Sequence, residues 1–486
     1  MTDQIAGWPV RGLDVKATMR AGHKPAPFEQ FIVKIHSRCN LACTYCYVYE
    51  MADQSWRGQP RQMSDDIAQA TVGRIAEHAA RHHLPEVEVI LHGGEPLLAG
   101  ADWIAGLAED LHASVQARVN MSVQTNGTRL DQPVLEVLRD LGIRVGVSLD
   151  GDAEATGRHR RYASGRNSFD DVADGLHRLG SPEFREIYGG ILCTIDVHND
   201  PVATYETLID FEPPMLDFLL PHGNWSCPPP GEGYADWLIA IFERWYPTPK
   251  QETSVRLFQE MIQLVFGGTG AVEGLGLEPS TLIVVDTDGS IKQLDSLSST
   301  YPGAADTGLD VMAGSFDDAL AHPTTIARQL GADALPPECQ ACPVVQICGG
   351  GLYPHRYRSG TGFRNPSVYC ADLIRLISHV RDRVRGDLDG ISTARSPRLA
   401  GSAGLRPGPR DARRSASVRT GRVRRRADDP PLRGSPPTPR PWPGWPRPSR
   451  CPDGRRPAWS GSWHTLRGPF RRRQPARRGW SDRSRS

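Results

Sequence analysis

Three thiols within a span of eight residues are the first groups in this sequence that could do chemistry: Cys39, Cys43 and Cys46, in the stretch IHSRCNLACTYCYVYE. They stand in a CxxxCxxC spacing directly after an apolar run of Phe31, Ile32, Val33 and Ile35. Structural zinc and ordinary iron–sulfur clusters each take four protein ligands, so three thiolates imply a metal with an open position. A cofactor can coordinate there. A second set lies far downstream, with Cys339, Cys342 and Cys348 in CQACPVVQICGGG and Cys370 beyond them. Its four thiolates suffice for a closed iron–sulfur or zinc site. Ten cysteines, most of them in tight local clusters, point to metal ligation in a reducing compartment rather than to a disulfide framework.

The elements that must carry these groups follow from periodicity. The apolar run before Cys39 reads as a strand. Ser64 is placed to cap a helix whose apolar positions Ile67, Ala70, Val72 and Ile75 recur at helical spacing, with Asp65 and Asp66 in its first turn. Strand-like runs follow at 87–91, 120–125, 143–149, 190–195 and 216–220, each ending in polar or glycine residues. Among these ends are His92, Gly93, Gly94 and Glu95, then Thr125, Asn126 and Gly127, then Asp150, and last His222. Strands alternating with helical stretches predict βαβ units and a parallel sheet that right-handed crossovers curl into an open barrel. Cys193, inside the fifth strand, reads as core. Aromatic and aliphatic residues at 237–245 and 255–265 predict two packed amphipathic helices.

At this point the sequence resembles a known family. CxxxCxxC with an aromatic residue, Tyr45, just before the third Cys is similar to the signature of radical S-adenosylmethionine (SAM) enzymes. The resemblance implies a SAM-binding 4Fe-4S cluster on Cys39, Cys43 and Cys46, and SAM cleavage to a 5′-deoxyadenosyl radical. It also implies a partial (β/α)6 barrel over about 28–225. Carried over residue by residue, Gly93, Gly94 and Glu95 would meet the amino group of SAM. Ser148 and Arg160 would hold its carboxylate, with Arg158 and Arg161 as alternatives in register. The second Cys set resembles the SPASM extension of radical SAM maturases, in which seven Cys bind two auxiliary clusters. Here Leu294 and Leu352 stand where that family expects Cys, which implies one auxiliary 4Fe-4S cluster on Cys339, Cys342, Cys348 and Cys370. Asp295, next to the lost ligand, matches the position of a substrate-facing base.

The wording of CYVYEMADQSWRG, GGGLYPHRYRSGTGF and NPSVYCADL is similar to FxsB-type peptide maturases. That likeness, over roughly 28–385, implies a ribosomally made precursor peptide as substrate. The expected reaction joins an aromatic ring carbon to a β-carbon in a cyclophane, with a flavodoxin- or ferredoxin-type electron donor. Competing readings are formylglycine formation in a sulfatase, thioether formation, and a zinc-stapled nucleic-acid-binding protein.

Charge divides the chain. Residues 395–486 hold 25 Arg, no Lys and 5 Asp, against 32 basic and 51 acidic residues before them. The expected organisation is an entry segment at 1–27, the barrel at 28–225, linker helices with the iron–sulfur domain at 226–390, and a disordered Arg/Pro-rich tail at 391–486. The composition of that tail resembles a frame-shifted reading of GC-rich DNA. The sequence shows neither a spanning apolar run nor a secretion signal, so a cytoplasmic enzyme without membrane or nucleic-acid partners is expected.

Overall fold

The computed structural model describes residues 7–248, 250–270 and 273–394 of the 486. One sheet organises them. Its strands are β1 (Gln30–His36), β2 (Glu86–Gly93), β3 (Arg118–Thr125), β4 (Arg144–Ser148), β5 (Tyr188–Thr194), β6 (Met215–Leu219), β7 (Ser254–Val255), β8 (Leu282–Val285), β9 (Ser290–Lys292) and β10 (Asp306–Asp310). They lie in the order β10-β9-β8-β1-β2-β3-β4-β5-β6-β7. From β8 through β7 every pairing is parallel, whereas β9 and β10 are antiparallel. This is the α/β partial barrel that the strand spacing predicts.

Alternation sets the two faces of the sheet. Phe31, Val33 and Ile35 of β1, Val87, Val89 and Leu91 of β2, and Val145 and Val147 of β4 are buried in the core shared with the outer helices. The intervening positions, Lys34, His92, Gln124 and Ser148 among them, face the inside. Cys193 is 1% exposed within β5 and belongs to the core, as expected. Ser64 caps the helix Asp65–Arg81, its hydroxyl accepting from the Ile67 amide at 3.4 Å, with Ala68, Val72, Ile75 and Ala79 buried beneath.

The downstream region does not stand apart from the barrel. Strand β8 pairs in parallel with β1, Val33 opposite Val285, so the β8–β9 hairpin extends the barrel sheet at its first strand. A histidine helps to hold this extension. His78 Nε2 accepts from the Phe28 amide at 3.0 Å, which leaves the ring proton on Nδ1 facing Asp317 at 2.9 Å. The helices Tyr234–Trp245 and Arg256–Val265 bury Trp237, Phe242, Trp245, Phe258 and Met261. The helix Cys370–Ala394 runs past the expected boundary at 390, and the tail from 395 onward lies outside the described residues. Among the described residues no helix is long and apolar enough to cross a membrane.

The turn after β2 tolerates no side chain at its first glycine. Gly93 has φ +145°, and a Cβ there would lie 2.2 Å from the His36 carbonyl oxygen. Gly93→Ala therefore forces β2 away from β1. The expected loss is about 2–5 kcal/mol of stability, read by denaturant unfolding.

Candidate active site

The loop that leaves β1 carries Cys39, Cys43 and Cys46, all half-buried. Its path is fixed by few bonds. The Cys46 amide donates to the Cys43 carbonyl at 3.1 Å, and the Cys39 sulfur accepts from the Leu41 amide at 3.4 Å and from Asn126 Nδ2 at 3.5 Å. Burial pushes the Cys39 thiol up to about 11, with Glu95 adding to the shift, and burial followed by Cys43 pushes Cys46 up to about 12. These thiols ionise only when a cation replaces the lost solvation. A single tetrahedral zinc would need its thiolates about 3.8 Å apart. Among the described residues no three thiols converge within 4.8 Å of one another. The thiols as they stand are therefore not gathered as closely as one zinc ion would require.

Glu95 braces this loop from beneath. Its carboxylate, 0% exposed, accepts from Thr125 Oγ1 at 2.7 Å, the Asn126 amide at 2.8 Å and the Leu97 amide at 3.0 Å. The same Asn126 reaches Asn40 Oδ1 at 2.9 Å as well as the Cys39 sulfur. The ends of β1, β2 and β3 are thereby locked to one another. Gly94 lies against Arg38 and the Tyr49 hydroxyl, where a Cβ has no room.

Of the three arginines in register, only Arg160 turns inward. Arg158 pairs with Asp196 at 3.1 Å, and Arg161 donates to the Gly157 carbonyl. Arg160 is 6% exposed and donates from Nη1 to the Tyr45 hydroxyl at 2.9 Å, and that hydroxyl donates to Asp150. Arg160 Nε is buried without a partner. A buried guanidinium N–H without an acceptor is costly, so this one is suited to an anionic ligand. Ser148, at the end of β4, accepts from Gln124 Nε2 at 3.0 Å.

Asp295 lies on the inside of the sheet rather than in a solvated turn. It is 4% exposed, pairs with Lys34 Nζ at 3.2 Å and accepts from the Tyr47 hydroxyl at 2.9 Å. Burial alone would lower Lys34, but Asp295 and Asp286 outweigh it and hold the ammonium above its usual value. His92 and His222 are both lowered by burial, His222 to about 4, so both are neutral imidazoles at pH 7. His92 Nδ1, His222 Nδ1 and Ser296 Oγ are buried without hydrogen-bond partners. The sequence marked Asp150 only as a strand end and gave Lys34 and Tyr47 no role. Tyr47 and Asp150 adjoin motif residues, but Lys34 sits in an apolar strand with nothing local to mark it.

The second thiol set gathers around one loop. Cys339 is buried, and Cys342, Cys348 and Cys370 are half-buried. Burial and then the other thiols push Cys370 up to about 12. Gly349, Gly350 and Gly351 all have positive φ, and the Arg356 guanidinium gathers their carbonyls at 2.8–3.3 Å. Leu294 and Leu352, at the positions where Cys was expected, meet in one apolar cluster with Trp8, Tyr353 and Phe363.

Residues 33–207 match the Radical SAM superfamily. Over 288 residues the chain is 27% identical to a cysteine-type anaerobic sulfatase-maturating enzyme of Clostridium perfringens, which covers 55% of this chain and 74% of that protein. Over 394 residues it is 25% identical to a serine-type anaerobic sulfatase-maturating enzyme of Klebsiella aerogenes, covering 76% and 90%. Its fold is similar to that of native anSMEcpe with bound AdoMet, at a TM-score of 0.64 and 20% identity over 74% of this chain and 99% of that one. The same enzyme with bound AdoMet and Kp18Cys peptide also scores 0.64, at 19% identity and the same coverage.

The brace at Glu95 gives a direct test. Glu95→Gln turns one acceptor oxygen into a donor against donors that are already fixed. Its expected cost is about 1–3 kcal/mol, together with a lower iron content after reconstitution, read by thermal unfolding and iron assay.

Proposed function

We propose that this chain, a radical SAM enzyme related to the anaerobic sulfatase-maturating enzymes, modifies a ribosomally made peptide by joining an aromatic ring carbon to a β-carbon. The observation that carries the reading is the buried Asp295, held between Lys34 of β1 and Tyr47 of the Cys loop. It offers a proton acceptor at a buried position. When bound, a 4Fe-4S cluster on Cys39, Cys43 and Cys46 together with SAM supplies the radical that removes a β-hydrogen. Arg160, through its unpartnered Nε, and Ser148 take the SAM carboxylate. Gly93 and Gly94 let β2 close on His36, Arg38 and Tyr49, which sets the backbone beside Glu95 where the amino end of SAM would lie, and Tyr45 keeps Arg160 in place.

The remaining residues handle the substrate. Bond formation leaves the ring with one hydrogen too many, and restoring aromaticity releases one proton and one electron. Asp295 takes the proton, with Lys34 and Tyr47 fixing the carboxylate in position. Cys339, Cys342, Cys348 and Cys370 would hold one auxiliary 4Fe-4S cluster, which would supply an acceptor for the electron. Leu294 and Leu352 close the other auxiliary position with apolar side chains, which supports a count of one. The relatives' names favour a second reading, formylglycine formation from a Cys or Ser in a sulfatase.

Anaerobic reconstitution should give about eight irons per chain and deoxyadenosine on addition of SAM and dithionite. A peptide rich in aromatic residues, drawn from a short reading frame beside the gene, should lose two hydrogen atoms without gaining an aldehyde. Hydrazine capture of an aldehyde on a sulfatase peptide would establish the second reading instead. In Asp295→Asn deoxyadenosine should persist, while cross-linked product falls by about 10²–10⁴.

A further inference from the structure

Four rings join the two thiol sets, and no motif in the sequence announces them. Tyr47 follows Cys46 in the chain, and Tyr369 precedes Cys370. Between them stand two imidazoles. The Tyr47 ring meets His222 edge-on at 4.8 Å between centroids, His222 lies 6.1 Å from His355, and His355 meets Tyr369 edge-on at 4.9 Å. These are ordinary separations for rings in contact. His355 and Tyr369 are 2% and 1% exposed, and the Tyr369 hydroxyl donates to the Pro221 carbonyl at 2.6 Å, next to His222. His222 Nδ1 and His355 Nε2 are both buried without partners, so at these atoms it is ring packing that the two side chains supply. Burial lowers both rings, so neither adds a charge between the two sets.

We propose that Tyr47, His222, His355 and Tyr369 form a packed path along which one electron passes between the site at Cys39, Cys43 and Cys46 and the site at Cys339, Cys342, Cys348 and Cys370. The proposal rests on the two-cluster reading above. Electron tunnelling decays more steeply across a void than through packed, bonded atoms. Here each end of the ring series is covalently continuous with a ligand cysteine. In turnover one electron leaves the cross-linked radical for the second set, while the proton goes to Asp295. The same path run backward oxidises the second set by one electron and reduces the first by one, with no proton moved.

The backward direction can be measured without any peptide, so its outcome is independent of the proposed substrate. The reconstituted full chain, with iron counted beforehand, is reduced at both sites, freed of reductant and mixed with SAM under freeze-quench. The first site spends its electron in a burst of SAM cleavage, read as methionine, while the adenosyl radical takes its hydrogen atom from an organic component of the buffer. A second equivalent requires the electron held at the second set. In the wild type the EPR signal of that set should decay as the second equivalent forms. In His355→Leu the burst and both midpoint potentials should be unchanged, while the second equivalent is lost and the signal persists. His355→Phe, which keeps a ring, should behave as the wild type. Tyr369→Leu and Tyr369→Phe repeat the comparison should His355→Leu fail to retain iron. Decay in the Leu variants as fast as in the wild type would overturn the proposal. So would a wild type that yields no second equivalent, or an iron count of about four.

Discussion

The buried ammonium of Lys34 is the constraint on which the site depends. It projects from β1 to the inside of the sheet and meets Asp295 at 3.2 Å and Asp286 at 3.5 Å, both from the β8–β9 region. Asp286 in turn pairs with Lys292 at 3.1 Å. A charge removed from water costs several kcal/mol unless it is paired, and removing one partner of such a pair typically costs 3–5 kcal/mol. β1 and the hairpin are therefore bound in one register. A slip would strand an ammonium or a carboxylate in the interior. Because the Cys loop leaves β1 only a few residues later, the same ion pairs fix where the thiols stand relative to Asp295.

The direction of the carboxylate is fixed as well. Tyr47 donates to Asp295 from the loop side while Lys34 holds it from below. The neighbouring imidazoles, His92 and His222, are kept neutral by burial and leave unpartnered nitrogens in the same space. Linked buried charge pairs beside neutral polar groups are a setting in which a small shift of substrate charge is strongly felt, because little solvent is present to screen it.

Much of the fold could be read from local pattern. CxxxCxxC after an apolar strand, the glycine turn after β2 and the Ser64 cap each depend on neighbours within a few residues. Arg160 could be narrowed only to three candidates, since helix register and the position of Tyr45, more than a hundred residues earlier, decide which one turns inward. Lys34 was invisible because its partners lie some 250 residues downstream. The pairing of β8 with β1 was missed for the same reason: an apolar tetrad such as Leu282–Val285 fits many edges, and only the ion pairs single out this one. Asp295 was found through resemblance, but its burial could not be foreseen from a hairpin-end sequence rich in Asp, Gly and Ser.

The two leucines fill core space. Leu294 is buried in a cluster with Trp8, Tyr353 and Phe363, and partly buried Leu352, Leu13 and Leu282 pack against it. Filling that space matters because unfilled core volume is penalised roughly in proportion to its size. It also ties the segment before β1, through Trp8, to the loop that carries Cys348. The four thiols that remain are set by a different device, the Arg356 guanidinium and its three carbonyls, which does not involve either leucine. The leucine cluster and the Arg356 device are thus structurally separate, and neither holds the other in place.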